Sequence, residues 1–327
     1  MSMEQRIEAA APTASAAHSS RSWSEPLVFV IMVALLVIAP KAIYPMFIMQ
    51  ALCFALFACA FNLLIGYVGL LSFGHALYFG WASYLAAHSA KVWGFPPELA
   101  ILTGTLTACL LGIISGSLAI RRQGIYFAMI TLALAQMMFF FALQLKFTGG
   151  EDGIQAVPRG KLFGSIDLSD QTNMYFTTVG IFLFGFLLIY RIIHSPFGEV
   201  LKGIRENEAR AISLGYKTDR YKLMAFVLSA TLAGLAGSTK AIVLQIASLT
   251  DVDWPMSGEV VLMALVGGLG TVFGPVAGAF IVVAMQNYLA QVGQWVTVIQ
   301  GVIFVVCVLA FRRGVIGEIA HHLRIKL

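Results

Sequence analysis

Apolar runs recur along nearly the whole chain, at roughly 26–40, 46–65, 75–92, 98–119, 124–145, 173–193, 223–246, 257–269, 275–291 and 295–311. A helix needs roughly 20 mostly apolar residues to cross a bilayer, so the pattern predicts an all-α, polytopic transmembrane helical bundle of about 8–10 spans. The first and eighth runs are short. The eighth reads as a half-helix that does not cross alone, so one or more spans are broken or re-entrant. Composition leaves no soluble alternative. Only 11% of the 327 residues are charged and 59% are apolar, whereas a soluble domain is about 25% charged. The four cysteines, Cys53, Cys59, Cys109 and Cys307, lie inside apolar runs with no C-x-x-C spacing. They read as small hydrophobes and not as a metal or redox site.

Lysine and arginine placement orients the bundle. With the N-terminus inside, Arg6, Arg21, Arg121, Arg122, Arg191, Lys202, Arg205, Arg210, Lys217, Arg220, Lys222, Arg312, Arg313, Arg324 and Lys326 are cytoplasmic. Lys41, Lys91, Lys146, Arg159 and Lys161 are external, and Lys240 lies within a span. The excess predicts both termini in the cytoplasm and an even number of crossings. Residues 1–25 read as a disordered cytoplasmic tail without the apolar stretch of a cleavable signal. Residues 26–313 form the membrane domain, and 314–327 a cytoplasmic C-terminal tail.

Two loops are longer than a connection requires. The external one, 147–172, carries Gly149-Gly150-Glu151-Asp152-Gly153. The cytoplasmic one, 194–222, is the one strongly charged stretch. Ser195-Pro196 supplies a cap and a first helical position. Glu199, Lys202, Glu206 and Arg210 follow at helical spacing, with opposite charges three or four apart, and Gly215 suits a helix C-terminus. One or two short amphipathic helices on the inner face are expected. A charged loop is commonly just a solvated connector, but nearly thirty residues far exceed what a connector needs.

A weak internal echo links Gly66, Gly69 and Gly74 with Gly267, Gly268, Gly270 and Gly274. Each set places two glycines three apart ahead of a Phe-Gly pair. Glycine-interrupted spans in corresponding places point to a transport path. Gly270, Gly274 and Gly278, and Gly112 with Gly116, also stand at the G-x-x-x-G spacing that lets helices approach, which is the default meaning of such glycines. Asn62, Ser72, His75, Tyr78, Gln136 and Gln245 are polar groups within spans. Each reads either as an interhelical hydrogen bond or as a path-lining group. Lys240 reads as snorkelling to the outer interface or as part of the path.

Chemistry-bearing motifs are missing. Gly160-Lys161 is followed by Leu162, so no phosphate-binding G-x-x-x-x-G-K-[ST] loop exists. No nucleophile elbow, H-E-x-x-H or metal-spaced cluster is present, and His321-His322 is a tail pair. The chain therefore reads as a transport component and not an enzyme. Its basic balance belongs to loops that obey the positive-inside bias and implies no nucleic acid. Intramembrane carboxylates are scarce, which disfavours an ion-coupled carrier working alone.

Ordered stretches carry a family resemblance. They are Asn62 to His75 (NLLIGYVGLLSFGH), Thr148 to Gly153 (TGGEDG), Ser195-Pro196-Phe197-Gly198 with Ile204 to Ala211 (IRENEARA), and Gly267 to Thr271 with Gly274-Pro275. From about Phe54 to Arg313 the chain resembles permease subunits of branched-chain amino-acid ABC importers, the LivM type. The resemblance implies a bacterial inner-membrane subunit that shares its translocation path with a second permease. Two cytoplasmic ATPase subunits carrying ATP and Mg would drive the pair, and a periplasmic binding protein would deliver the substrate. No cofactor would be bound by this chain itself. The charged loop would be the segment that docks on an ATPase, with Gly198, Arg205, Glu206, Asn207, Glu208, Ala209 and Gly215 as its residues. Glu208-Ala209 with Gly215 is similar to the Glu-Ala-Ala…Gly signature of such loops, although Arg210 replaces the second alanine. Urea and short-amide permeases resemble this chain too, and its own residues do not separate the cargoes.

Overall fold

The computed structural model describes residues 24–41, 43–289 and 296–310, with residues 314, 317 and 318. Residues 1–23 and most of 314–327, the expected tails, lie outside them. The helices are α1 (Ser24–Ile38), α2 (Pro45–Tyr67), α3 (His75–Lys91), α4 (Pro97–Ala119), α5 (Ile125–Gln144), α6 (Gln171–Ile193), α7 (Pro196–Glu206), α8 (Glu208–Ser213), α9 (Thr218–Leu244), α10 (Trp254–Gly267), α11 (Gly274–Leu289) and α12 (Val296–Ala310). Each predicted apolar run is a helix, and the charged loop supplies two more. Five helices among the described residues, α2, α4, α5, α6 and α9, are long and apolar enough to cross a membrane. The strands are two-residue ladders: β1 (Ile154–Gln155) with β4 (Ile246–Ala247), and β2 (Lys161–Leu162) with β3 (Ile166–Asp167).

The centre of the bundle is α2, buried on every side from Ala51 through Leu64. α9 packs along α2, α3 and α4, and α6, α10 and α11 close around α2. The contacts are made by small residues. On α4 the inward stripe is Ala100, Gly104, Ala108, Gly112 and Gly116. A Cβ on Gly112 would stand 2.8 Å from the Ala230 Cβ, and a Cβ on Gly234 of α9 would overlap Ala108. The opposite face of α4 exposes Leu102, Leu106, Leu110, Ile113 and Ile114. This inversion, with small residues inside and large apolar ones outside, belongs to a lipid solvent. There the hydrophobic effect does not drive helices together and close backbone packing does.

Two places depart from straight spans. α3 begins beside Ser229, which lies three turns up α9 from Thr218. It therefore starts about 16 Å along α9 from that helix's first residue, at 1.5 Å per residue. Its free N-terminal amides are met by side chains, as a non-aqueous interior requires. Ala76 N donates to Ser257 Oγ (2.9 Å), Gly74 N to Ser72 Oγ (3.3 Å) and Phe73 N to Thr131 Oγ1 (3.2 Å). The second departure is a helical hairpin. α10 has 14 residues and rises only about 21 Å, short of the roughly 30 Å hydrocarbon core. It turns at Gly268–Phe273 into α11, which runs back alongside it. A Cβ on Gly278 would overlap the Met263 carbonyl oxygen, and one on Gly267 the Gly274 carbonyl oxygen. The eighth apolar run is thus the first arm of a re-entrant-style hairpin.

At the end of the bundle opposite α7, the long loop 147–172 is stitched to the C-terminal end of α9 and to the last residue of α3. Besides the β1–β4 ladder, Arg159 Nη2 donates to Val243 O (2.9 Å), Lys91 Nζ to Gln155 O (2.7 Å) and Val157 N to Gln245 O (3.1 Å). Burial lowers the pKa of Arg159, while Asp167 is held below the usual carboxylate range by the Ser169 amide.

Candidate coupling site

The charged loop folds into a bent helix pair. Ser195 caps α7, its Oγ accepting from Gly198 N (3.3 Å), and Pro196 occupies the first helical position. Gly198 has no room for a side chain, because a Cβ there would meet the Ile192 and Ile193 carbonyl oxygens of α6. α7 ends at Glu206. Asn207 has extended backbone, and its Oδ1 accepts from Arg210 N (3.0 Å) to start α8. Asn207 is thus both the end of one helix and the cap of the next, a role the sequence pattern did not assign to it. The expected Glu199–Lys202 pair forms (2.8 Å). Glu206 and Arg210 fall on different helices because of the break. After α8, Gly215 takes φ +89°, the left-handed conformation open to glycine. The concave side of the bend is an open cleft of about 790 Å³, floored by Val200, Gly203 and Ala211 and rimmed by Glu199, Glu206 and Arg210.

Glu208 faces inward. Its Oε1 accepts from Lys222 Nζ (2.5 Å) and Thr218 Oγ1 (3.2 Å) in the first turns of α9, with the Lys222 side chain 3% exposed. The carboxylate ties α8 to α9, while Ala209 beside it is exposed. α9 begins at Thr218, earlier than the apolar pattern suggested, because its charged first turns continue the helix beyond the apolar stretch.

Arg205 points into the bundle on one side and remains exposed on the other. Its Nη1 donates to Gly66 O, and its Cγ would be 3.2 Å from a Cβ on Gly69. A second cleft, of about 440 Å³, is bounded by Gly66, Tyr67, Lys202, Arg205, Glu206 and Gly270.

The two glycine sets of the internal echo touch here at Gly66 and Gly270, while Gly74 packs on Thr131. Asn62 Nδ2 donates to Thr271 O (2.9 Å), and Gly270 N donates to Asn62 Oδ1 (3.0 Å). A Cβ on Gly66 would stand 2.9 Å from Gly270 N. Gly69, Gly268 and Gly270 all have positive φ. The end of α2 and the tip of the α10–α11 hairpin are therefore one junction, with α7 resting on it. Thr271 Oγ1 and Gly268 O close the turn (2.8 Å), and Gly274 N returns to Thr271 Oγ1 (3.1 Å).

Of the remaining polar candidates, Ser72, His75 and Tyr78 are enclosed within the chain, and Gln245 is not. His75 Nε2 bonds to Ser229 Oγ (2.9 Å), which donates onward to Ala60 O (2.5 Å), within a ring of Phe61, Tyr78 and Phe226. Tyr78 Oη pairs with Ser115 Oγ (2.5 Å). Asn62, Ser72, His75 and Tyr78 are all buried, so any of them can touch cargo only if its helices part. Gln245 is exposed and left-handed (φ +57°), and its Nε2 donates to Val157 O (3.2 Å). Lys240 does not snorkel. Its Nζ holds both carboxylate oxygens of Asp251 (2.7 and 2.6 Å), and both side chains are buried. The apolar pattern does not single out Asp251, which lies in a short 3-10 turn, Leu249–Asp251, outside every span. The signal was available: a lysine inside a span needs a counter-charge, and Asp251 is eleven residues on.

A chain built this way is a multi-pass membrane permease of the ABC importer class. It belongs to the family described as branched-chain amino acid transport system / permease component, whose model matches residues 43–309. It is similar to the high-affinity branched-chain amino acid transport permease LivM of Escherichia coli, 24% identical over 288 residues, covering 81% of this chain and 68% of that protein. It is also similar to the ribose import permease of Bacillus subtilis, 27% identical over 237 residues, covering 67% of this chain and 70% of the relative. The autoinducer 2 import permease of Salmonella paratyphi B is 27% identical over 196 residues, covering 56% of this chain and 55% of the relative. No solved structure matches the chain.

Proposed function

We propose that this chain is the permease subunit of an ATP-driven importer for branched-chain amino acids in a bacterial inner membrane. It forms half of the translocation path with a sister permease. Two cytoplasmic ATPase subunits, which hold the ATP and Mg, drive the cycle, and a periplasmic binding protein delivers the substrate. Both termini lie in the cytoplasm. The observation that carries this reading is the α7–α8 pair: a charged, concave helix bend laid on one end of the apolar bundle and bonded to its broken-helix junction. Such a bend suits a docking segment that passes a partner's motion inward.

The cargo rests on the LivM likeness, which spans more of this chain than the ribose or autoinducer 2 likenesses do. An apolar, largely neutral bundle also suits a zwitterion with an aliphatic side chain. The test is ATP-dependent uptake by the complete complex in proteoliposomes, with radiolabelled leucine competed by unlabelled valine, ribose or urea. Competition by valine alone is expected. Competition by ribose or urea with none by valine would reassign the cargo.

A further inference from the structure

Arg205 closes a continuous set of contacts between the helix bend and both interrupted helices. In a continuing helix the Leu70 amide would reach Gly66 O. Here it bonds to Leu64 O instead (3.3 Å), together with the amides of Val68 and Gly69 (both 3.1 Å). Gly66 O is thus left at the negative end of α2, and the Arg205 guanidinium takes it. The same guanidinium borders Gly270 at the tip of the α10–α11 hairpin, with Nη1 3.3 Å from where a Cβ would stand. Asn62, one turn back on α2, then clasps that tip with both ends of its amide. Glycines at 66, 69 and 270 are what allow the guanidinium and the two backbones to come this close.

We propose that Arg205 is a positioning residue: it transmits displacement of α7 to the end of α2 and to the hairpin tip together, with Asn62 locking the two so that they move as one. This rests on the reading of α7–α8 as the ATPase-docking segment. A guanidinium suits the task because its planar fork can hold a carbonyl while its stem packs on Gly69, which an ammonium on a flexible stem does less well.

The test uses the full complex in proteoliposomes and reads substrate taken up per ATP hydrolysed, alongside co-purification of the subunits and the melting temperature. R205M is expected to assemble yet lose about tenfold in uptake per ATP, mid-range for a coupling free energy between sites. R205K is expected to recover part of that loss. N62A should also lower the ratio, and R205M/N62A should be no worse than the poorer single variant, since both would sever one relay. A merely structural role would lower melting in R205M and N62A and add in the double variant while leaving the ratio unchanged. Wild-type uptake per ATP in R205M, or additive losses in the double variant, would overturn the proposal. If the unaltered complex shows no ATP-driven uptake at all, the functional reading fails instead.

Discussion

Lys240 and Asp251 show what the interior demands of a single residue. Two charges that cannot reach water must neutralise each other, and removing one strands its partner at a cost of about 3–5 kcal/mol. K240M and D251N should each lower the melting temperature of the purified protein sharply, while K240M combined with D251L should melt closer to wild type. Equal loss in all three would mean that the ion pair is not what holds the 3-10 turn against α9. Glu208 obeys the same rule less severely, because its side chain is 23% exposed. E208K would set a second cation against the buried Lys222 and should loosen the α8–α9 connection, read as faster protease cleavage between 207 and 217. Any transport defect in that variant then reports lost anchoring as well as lost docking.

Elements in this protein are short wherever the chain does something other than cross. α7 and α8 exist as two helices because Asn207 caps the second, and losing a cap costs about 1 kcal/mol. N207A should therefore fray α8 and speed hydrogen exchange of its amides, with little change in the global melting temperature. The α10–α11 hairpin depends instead on the absence of side chains. G278L would drive a side chain into the Met263 carbonyl, and overpacking of this kind costs at least about 1–3 kcal/mol. The expected result is a marked fall in folded yield on size exclusion. A normal yield would show that the two arms can separate freely.

For the whole molecule, the lysine and arginine excess predicts that the α7–α8 end faces the cytoplasm. In a chain whose four cysteines are replaced, single cysteines at Arg122 and Ser213 should react with an impermeant maleimide only in inverted vesicles. One at Phe163, exposed at the tip of the β2–β3 turn, should react in intact cells. The opposite pattern would invert the orientation and remove the docking role from α7–α8.

The sequence by itself determined that the chain is a helical membrane bundle, roughly where its apolar helices run, and that the charged loop after His194 folds into short helices, although its last residues, from Thr218, belong to α9. These are local matters. A long apolar run has one stable form in lipid, and Ser195-Pro196 and Gly215 begin and end helices through groups within a few residues. It also marked both glycine breaks. Only the tertiary structure decided that Gly66 and Gly270 touch, that Asn62 bridges them, that Arg205 turns inward, and that Lys240 faces Asp251. It also decided that His75 and Tyr78 are enclosed within the chain. Each of these is a pairing between groups brought together by helix packing, and small-residue stripes say that helices approach without saying which. The glycine echo read as a possible transport path because it repeats along the chain, and the fold brings its two copies together in space.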